Sequence, residues 1–228
     1  MYLPQATAGG WREMVEGKFD DFLYAALQSR REVKGLVCWD IGAHIGYHSL
    51  GLAALGAQVL AFEPNKANAA RLKQHLEKNQ DLAKRIRLRE EALSDGDGEV
   101  TFVQCRDIST GSSGSHLAEA LPPLEREAYK GVFESVKSRA LKIDTLIEKE
   151  KEPEPGLLKI DVEGGELLVL RGGIELLKRK RPLILMEVHH ICLMFEIQQF
   201  LTGLGYRIKI LDPEHASPSR CFVVAEGS

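Results

Sequence analysis

The run Val37-Cys38-Trp39-Asp40-Ile41-Gly42-Ala43-His44-Ile45-Gly46 limits what this chain can fold into more than any other stretch. It reads as an apolar strand, an acid, a glycine-punctuated turn and the start of a helix, and Glu63 closes the next apolar strand. In α/β proteins such a turn lies at the carboxyl end of a strand, where ligands bind. Gly42 lets the backbone turn sharply and approach a ligand closely, and Gly46 lets the helix start pack tightly.

The segments around this turn repeat its rhythm. Leu36 to Trp39 is a strand, Ile45 to Leu55 a helix stopped by Gly56, and Gln58 to Phe62 a strand. Lys66 to Asn79 is a helix capped by Asn65, and Ile86 to Arg89 a short third strand. Such alternation predicts an α/β, Rossmann-like fold: a mostly parallel central sheet with helices on both faces. Trp11 to Arg31 has helical periodicity, so residues 1–33 are expected to form a helical cover ahead of one domain, 34–228. After Asp95-Gly96-Asp97-Gly98 the rhythm breaks, and Glu99 to Gln104 reads as an antiparallel addition. Arg106 to His116 is a Ser- and Gly-rich loop, Val136 to Leu141 a returning strand, and Glu148 to Pro155 an exposed charged connector. Core strands resume at Gly156 to Ile160 and Leu183 to Val188, separated by helical spacing broken at Gly172-Gly173. Leu193 to Leu201 is a helix, and Tyr206 to Leu211 with Cys221 to Ala225 form a closing antiparallel hairpin. No second hydrophobic core is expected.

Net charge and cysteine usage narrow the partners. A formal charge of -3 gives no global field toward nucleic acid or anionic lipid, so neither is expected. Met1 to Gly10 lacks the pattern of a secretory signal, and the apolar run Leu50 to Phe62 is too short to span a bilayer. Cys38, Cys105, Cys192 and Cys221 form no C-x-x-C pair, which points to free thiols and a cytoplasmic setting rather than disulfides or zinc.

A nicotinamide dinucleotide site would want G-x-G-x-x-G, but from Gly42 the second and third glycines fall on His44 and Tyr47. Asp40 would repel a pyrophosphate and favour a cationic ligand. S-adenosyl-L-methionine (SAM) carries both an ammonium and a sulfonium. Glu63 stands where a carboxylate accepts both ribose hydroxyls; read alone it is only an exposed strand-end acid.

The ordered set Cys38-Trp39-Asp40-Ile41-Gly42-Ala43-His44-Ile45-Gly46-Tyr47, Ala61-Phe62-Glu63-Pro64-Asn65, Ala92-Leu93-Ser94-Asp95, Leu158-Lys159-Ile160-Asp161-Val162-Glu163-Gly164, Leu170-Arg171-Gly172 and Arg181-Pro182 before Met186-Glu187 resembles the FkbM-type family of SAM-dependent methyltransferases. The resemblance covers about residues 34–190. It implies a class I methyltransferase fold and O-methylation of a hydroxyl on a sugar, polysaccharide or polyketide-type acceptor. By the same resemblance, Asp40, Gly42, His44 and Gly46 would line the methionine end of SAM. Glu63, with Pro64 beside it, would hold the ribose; Glu91 and Ala92 would border the adenine, and Asp161 would face the cofactor across the cleft. One departure is His44, where the family commonly has Asn.

An alcohol is a poor nucleophile at neutral pH and needs a base or a metal. Asp161, Glu163, Glu187 and His189 are the strand-end candidates. His189 is the preferred general base, because an unperturbed imidazole titrates near neutrality. Asp161 and Glu187 end two successive core strands, so they are where a divalent cation such as Mg2+ would sit; the metal-free reading is favoured. Against both stands a bland alternative, with Asp161 only capping the next helix and Glu187 only ordering a loop. His48 lies one helical turn past His44, for which packing is favoured over a ligand pair. The competing functions are N-methylation of a nucleobase or amine, a nucleoside-binding module without catalysis, and a Rossmann reductase. The first expects an Asn/Asp-Pro-Pro-aromatic motif where Ile160-Asp161-Val162-Glu163 stands.

Overall fold

The computed structural model describes Leu27 and residues 33–105, 116–117, 133–211 and 221–227. The expected helical cover therefore lies outside the described residues except for Leu27 and Val33, both buried in the cluster that holds Cys38, Leu50 and Leu72. Most of the Arg106 to His116 loop also lies outside them.

The central sheet has seven strands. They are β1 (Val37–Ile41), β2 (Gln58–Phe62), β3 (Ile86–Arg89), β8 (Leu157–Ile160), β9 (Leu183–Val188), β10 (Tyr206–Ile210) and β11 (Cys221–Gly227), in the order β10-β11-β9-β8-β1-β2-β3. The five from β3 to β9 are parallel, while β11 runs antiparallel to both β9 and β10. This is the class I methyltransferase arrangement. The hairpin expected from Tyr206 and Cys221 forms, with its second strand inserted between β9 and its partner.

Period-2 alternation in the strands feeds both layers. Trp39, Ile41, Leu158 and Ile160 face one layer, which includes α4 (Ile143–Glu148), α5 (Glu166–Gly172), α6 (Ile174–Arg179) and α7 (Ile191–Gly203). Cys38, Val59, Ala61 and Leu157 face the other, where Leu50 and Leu52 of α1 (Tyr47–Ala54) and Leu72 of α2 (Lys66–Lys78) pack. A short α3 (Gln80–Ala83) follows α2. Asn65 caps α2 as its side chain accepts from the Ala67 and Asn68 amides, and Gly56 ends α1 at φ 93°.

Two expectations are corrected. The first is the absence of a second core: the antiparallel strand expected after the Asp95–Gly98 turn is β5 (Gly98–Cys105), it pairs with the returning strand β7 (Phe133–Leu141), and β7 also holds β4 (Ala92–Leu93) in parallel. With β6 (His116–Leu117) these form a separate four-stranded sheet, and Ala92, Phe102 and Ala140 give it a small core of its own. The reason is local. β4 and β5 are joined by only the four residues 94–97, so once β7 pairs with one of them the other lies at its opposite edge.

The Glu148 to Pro155 connector is likewise not uniformly exposed. Glu152 is 5% exposed and accepts from Arg89 at 2.7 Å and from Arg87. Arg89 also binds Glu91 at 2.8 Å and Glu150 at 2.7 Å, and its own side chain is 14% exposed. Among the described residues no helix is long and apolar enough to cross a membrane.

Removing a partner from such a buried pair strands a charge and costs about 3–5 kcal/mol, whereas an exposed pair is worth about 0.2–1 kcal/mol. Urea denaturation of Glu152→Ala should therefore show a loss of at least about 2 kcal/mol. Breaking the exposed Lys137–Glu99 pair by Glu99→Ala should leave the urea midpoint nearly unchanged.

Candidate active site

The β1–α1 turn is built from backbone contacts that leave no room for side chains. The Gly42 and Ala43 amides both donate to the Phe62 carbonyl, at 3.0 and 2.9 Å. A Cβ on Gly42, where φ is +83°, would lie 1.8 Å from the Asp161 carbonyl oxygen; one on Gly46 would lie 2.1 Å from the Leu72 Cδ1. These approaches hold the ends of β1 and β8 together and seat α2 against the turn. His75 of α2 adds a buried contact, its Nδ1 2.7 Å from the Ile45 carbonyl.

Glu63 ties this turn to the end of β2. Its Oε2 accepts from the His44 amide at 2.7 Å and its Oε1 from the Asn65 amide at 2.9 Å. His44 sits in the left-handed region at φ 52°, so the contact holds a backbone that a non-glycine residue rarely adopts. Burial pushes the Glu63 carboxyl up to about 7, against the lowering effect of its hydrogen bonds from Asn65, His44 and Asn68. Pro64 is half-buried beside it.

Asp40 is fully buried within β1. Its Oδ2 accepts from Ser49 Oγ at 2.5 Å, and its Oδ1 lies 3.7 Å from Lys159 Nζ. The β1–β8 register pairs Asp40 with Lys159, which places the acid and the amine side by side on one face of the sheet. Lys159 also donates to Asp161 Oδ2 at 3.2 Å. Burial alone would lower the Lys159 pKa, but Asp161 and Asp40 outweigh it and hold the amine firmly charged. The sequence reading gave Lys159 no role, although a lysine inside the apolar strand Leu157–Ile160 is itself the signal of a buried partner.

The strand-end candidates do meet. Ile160 pairs with Met186, so Asp161 and Glu187 emerge side by side at the strand ends. His189 Nε2 lies 3.6 Å from Asp161, 3.4 Å from Glu163 and 3.5 Å from Glu187. Its Nδ1–H donates to Glu166 at 2.8 Å, and Glu166 is wholly buried. Burial alone would lower the imidazole pKa, but the Glu166 hydrogen bond and the charges of Asp161 and Glu163 raise it to about 9. For Asp161, burial would raise the pKa, yet Lys159, His189 and His48 hold it below the usual carboxylate range.

The bland role of Asp161 is not the one it plays. Gly165 is the N-cap of α5, without a side-chain cap, so Asp161 does not cap that helix. His190 caps α7, its ring accepting from the Cys192 amide. His48 is buried, its ring edge-on to that of Tyr47 with centroids 5.0 Å apart, which is the packing role favoured for it. Glu91, just after β3, is clamped by Arg89 and Arg139, and Ala92 is buried in β4. The side chain of His116 lies outside the described residues.

Residues 40–208 match the Methyltransferase FkbM domain. The chain belongs to this family. A hexuronic acid methyltransferase, AglP of Haloferax volcanii, is 28% identical over 153 residues, which is 67% of this chain and 56% of that protein. The chain thus spans little more than half the length of this curated relative. Among solved structures, an FkbM methyltransferase from Methylobacillus flagellatus KT superposes with TM-score 0.59 at 19% identity, covering 83% of this chain and 43% of that one. A SAM-dependent O-methyltransferase from Thermotoga maritima gives 0.53 at 14% identity, covering 96% and 71%. At these identities the two structures establish a shared fold, that of class I SAM-dependent methyltransferases.

The raised Glu63 pKa has a consequence for stability. The folded state holds this proton up to about pH 7 and the unfolded chain releases it near 4.5, so the contribution is full below pH 4.5 and is lost as pH rises to 7. Relative to Glu63→Gln, which cannot ionise, the unliganded wild type should lose a few kcal/mol between about pH 5 and 7.5. Urea melts of both proteins across that range measure it; parallel pH profiles would contradict it.

Proposed function

We propose that this chain is a SAM-dependent O-methyltransferase acting on a hydroxyl of a saccharide or related small polyol. The observation that carries the reading is a juxtaposition. The glycine turn with Glu63 lies at one set of strand ends, and the half-buried group Asp161, Glu187 and His189 lies at the neighbouring ends of the same sheet. Membership of the FkbM family supports methyl transfer, and the relative that acts on a hexuronic acid supports a sugar acceptor.

In this reading Gly42, His44 and Gly46 receive the methionine end of SAM, and Glu63, beside Pro64, takes the ribose hydroxyls. Asp40 acts from beneath the turn, by fixing Ser49 and Lys159. Glu91 and Ala92 border the adenine, with Glu91 held in place by Arg89. The acceptor oxygen attacks the SAM methyl carbon in line with sulfur; the carbon–sulfur bond breaks, its electron pair stays on sulfur, and S-adenosylhomocysteine leaves. The hydroxyl proton grows acidic as the new bond forms and passes to the carboxylates around His189. Asp161 and Glu187 are also where a divalent cation would assist the same oxygen. The described cysteines Cys38, Cys192 and Cys221 are free thiols, which supports the cytoplasmic setting expected from the sequence.

N-methylation of nucleic acid is disfavoured by the charge of the acceptor side, where Asp161, Glu163 and Glu187 would repel phosphates. Release of S-adenosylhomocysteine from a panel of glycosides, uronates and nucleosides tests the reaction. Turnover of nucleosides alone would overturn it, as would SAM binding without turnover of any acceptor. Loss of the Glu63 hydrogen bonds, worth about 1.5–3 kcal/mol, should weaken SAM binding by Glu63→Ala roughly 10- to 100-fold in isothermal titration.

A further inference from the structure

The donors around His189 are spaced like the ligands of a metal ion. Asp161, Glu187 and His189 each bring one ligand atom into a group lying within 4.8 Å of one another. His189 Nε2 stands 3.4–3.6 Å from three carboxylates, too far for good hydrogen bonds. Metal–ligand bonds of about 2.0–2.2 Å put neighbouring ligands roughly 3–3.5 Å apart, so little movement is needed to close this shell on an ion.

Two features beyond the cluster point the same way. Glu166 is wholly buried, and by accepting from His189 Nδ1–H it directs Nε2 toward the carboxylates. A carboxylate behind the imidazole is the usual outer support of a metal-bound histidine. The second Glu166 oxygen, Oε2, is buried without a hydrogen-bond partner among the described residues, as is Asp40 Oδ1 on the far side of Lys159. Asp40, Asp161, Glu163, Glu166 and Glu187 thus stand against one buried ammonium, Lys159, and the imidazoles of His189 and His48. Formal charges leave an excess of negative charge that a divalent cation offsets.

We propose that Asp161, Glu187 and His189 form a divalent cation site, with Glu166 as its positioning residue and Glu163 at its rim. The inference rests on the methyltransferase reading for its purpose, which is to hold the acceptor oxygen beside the methyl group and make it more acidic. It also changes the role of His189, from base to ligand. One nitrogen among carboxylate oxygens shifts the preference from Mg2+ toward Mn2+.

Titration of the full chain with MnCl2, reading free Mn2+ by its paramagnetic resonance, decides the matter. The wild type should bind about one equivalent well below 1 mM, the weak end of built protein cation sites. Glu166→Gln should bind roughly 10- to 100-fold more weakly, Glu187→Gln and His189→Ala should show no stoichiometric binding, and His190→Ala should match the wild type. Circular dichroism melts establish that each variant is folded; if one is not, the wild-type titration still decides. Absence of wild-type binding up to about 1 mM would overturn the site, as would undiminished binding by folded Glu187→Gln. SAM titration in EDTA separates the two readings. SAM binding without Mn2+ binding removes the cation alone, whereas no SAM binding removes the methyltransferase reading.

Discussion

The Lys159 ammonium is the charge on which this site depends. It is buried between Asp40, at the root of the glycine turn, and Asp161, at the edge of the acceptor side. A buried ion of this size costs several kcal/mol to desolvate, and only well-placed opposite charges offset that. Strand register supplies the placement: pairing Asp40 with Lys159 is a property of the backbone ladder and needs no further device. Without the amine, Asp40 and Asp161 would be uncompensated acids at adjacent strand ends. The carboxylate-rich strand ends and the tight glycine turn coexist because one cation lies beneath both.

The two sides of the site are rigid for different reasons. At the glycine turn, rigidity is steric: the Gly42 Cα is pressed against the Asp161 carbonyl, and Glu63 holds the left-handed His44 by its amide. Around His189 it is electrostatic, with the imidazole fixed from behind by Glu166 and surrounded in front by carboxylates. Glu163 there also adopts a left-handed backbone at φ 52°, a conformation that costs energy and persists only where its surroundings enforce it.

The parallel core was readable in the sequence because strand alternation, the Asn65 cap and the Gly56 stop are local signals. The candidate site was partly readable, since strand-end acids after apolar runs announce themselves by position. Three things were not. The small second sheet depends on β5 choosing β7 over the main sheet, which is a tertiary competition. Glu152 looks like any acid in a charged connector until Arg89 folds over it. The electrostatics of His189 depend on Glu166, which lies 23 positions earlier and sits in no strand-end pattern.

Sheet order has a kinetic side. β11 lies between β9 and β10, yet it is synthesised after both. Until its residues emerge, β9 offers an open row of amides and carbonyls, and β10 has no sheet partner among the described strands. A growing chain must therefore carry its cofactor turn for some time beside an unfinished edge. Such edges recruit other chains. Assembly of this fold is consequently sensitive to delays in the synthesis of β11, although that strand is three places from β1 in the sheet order.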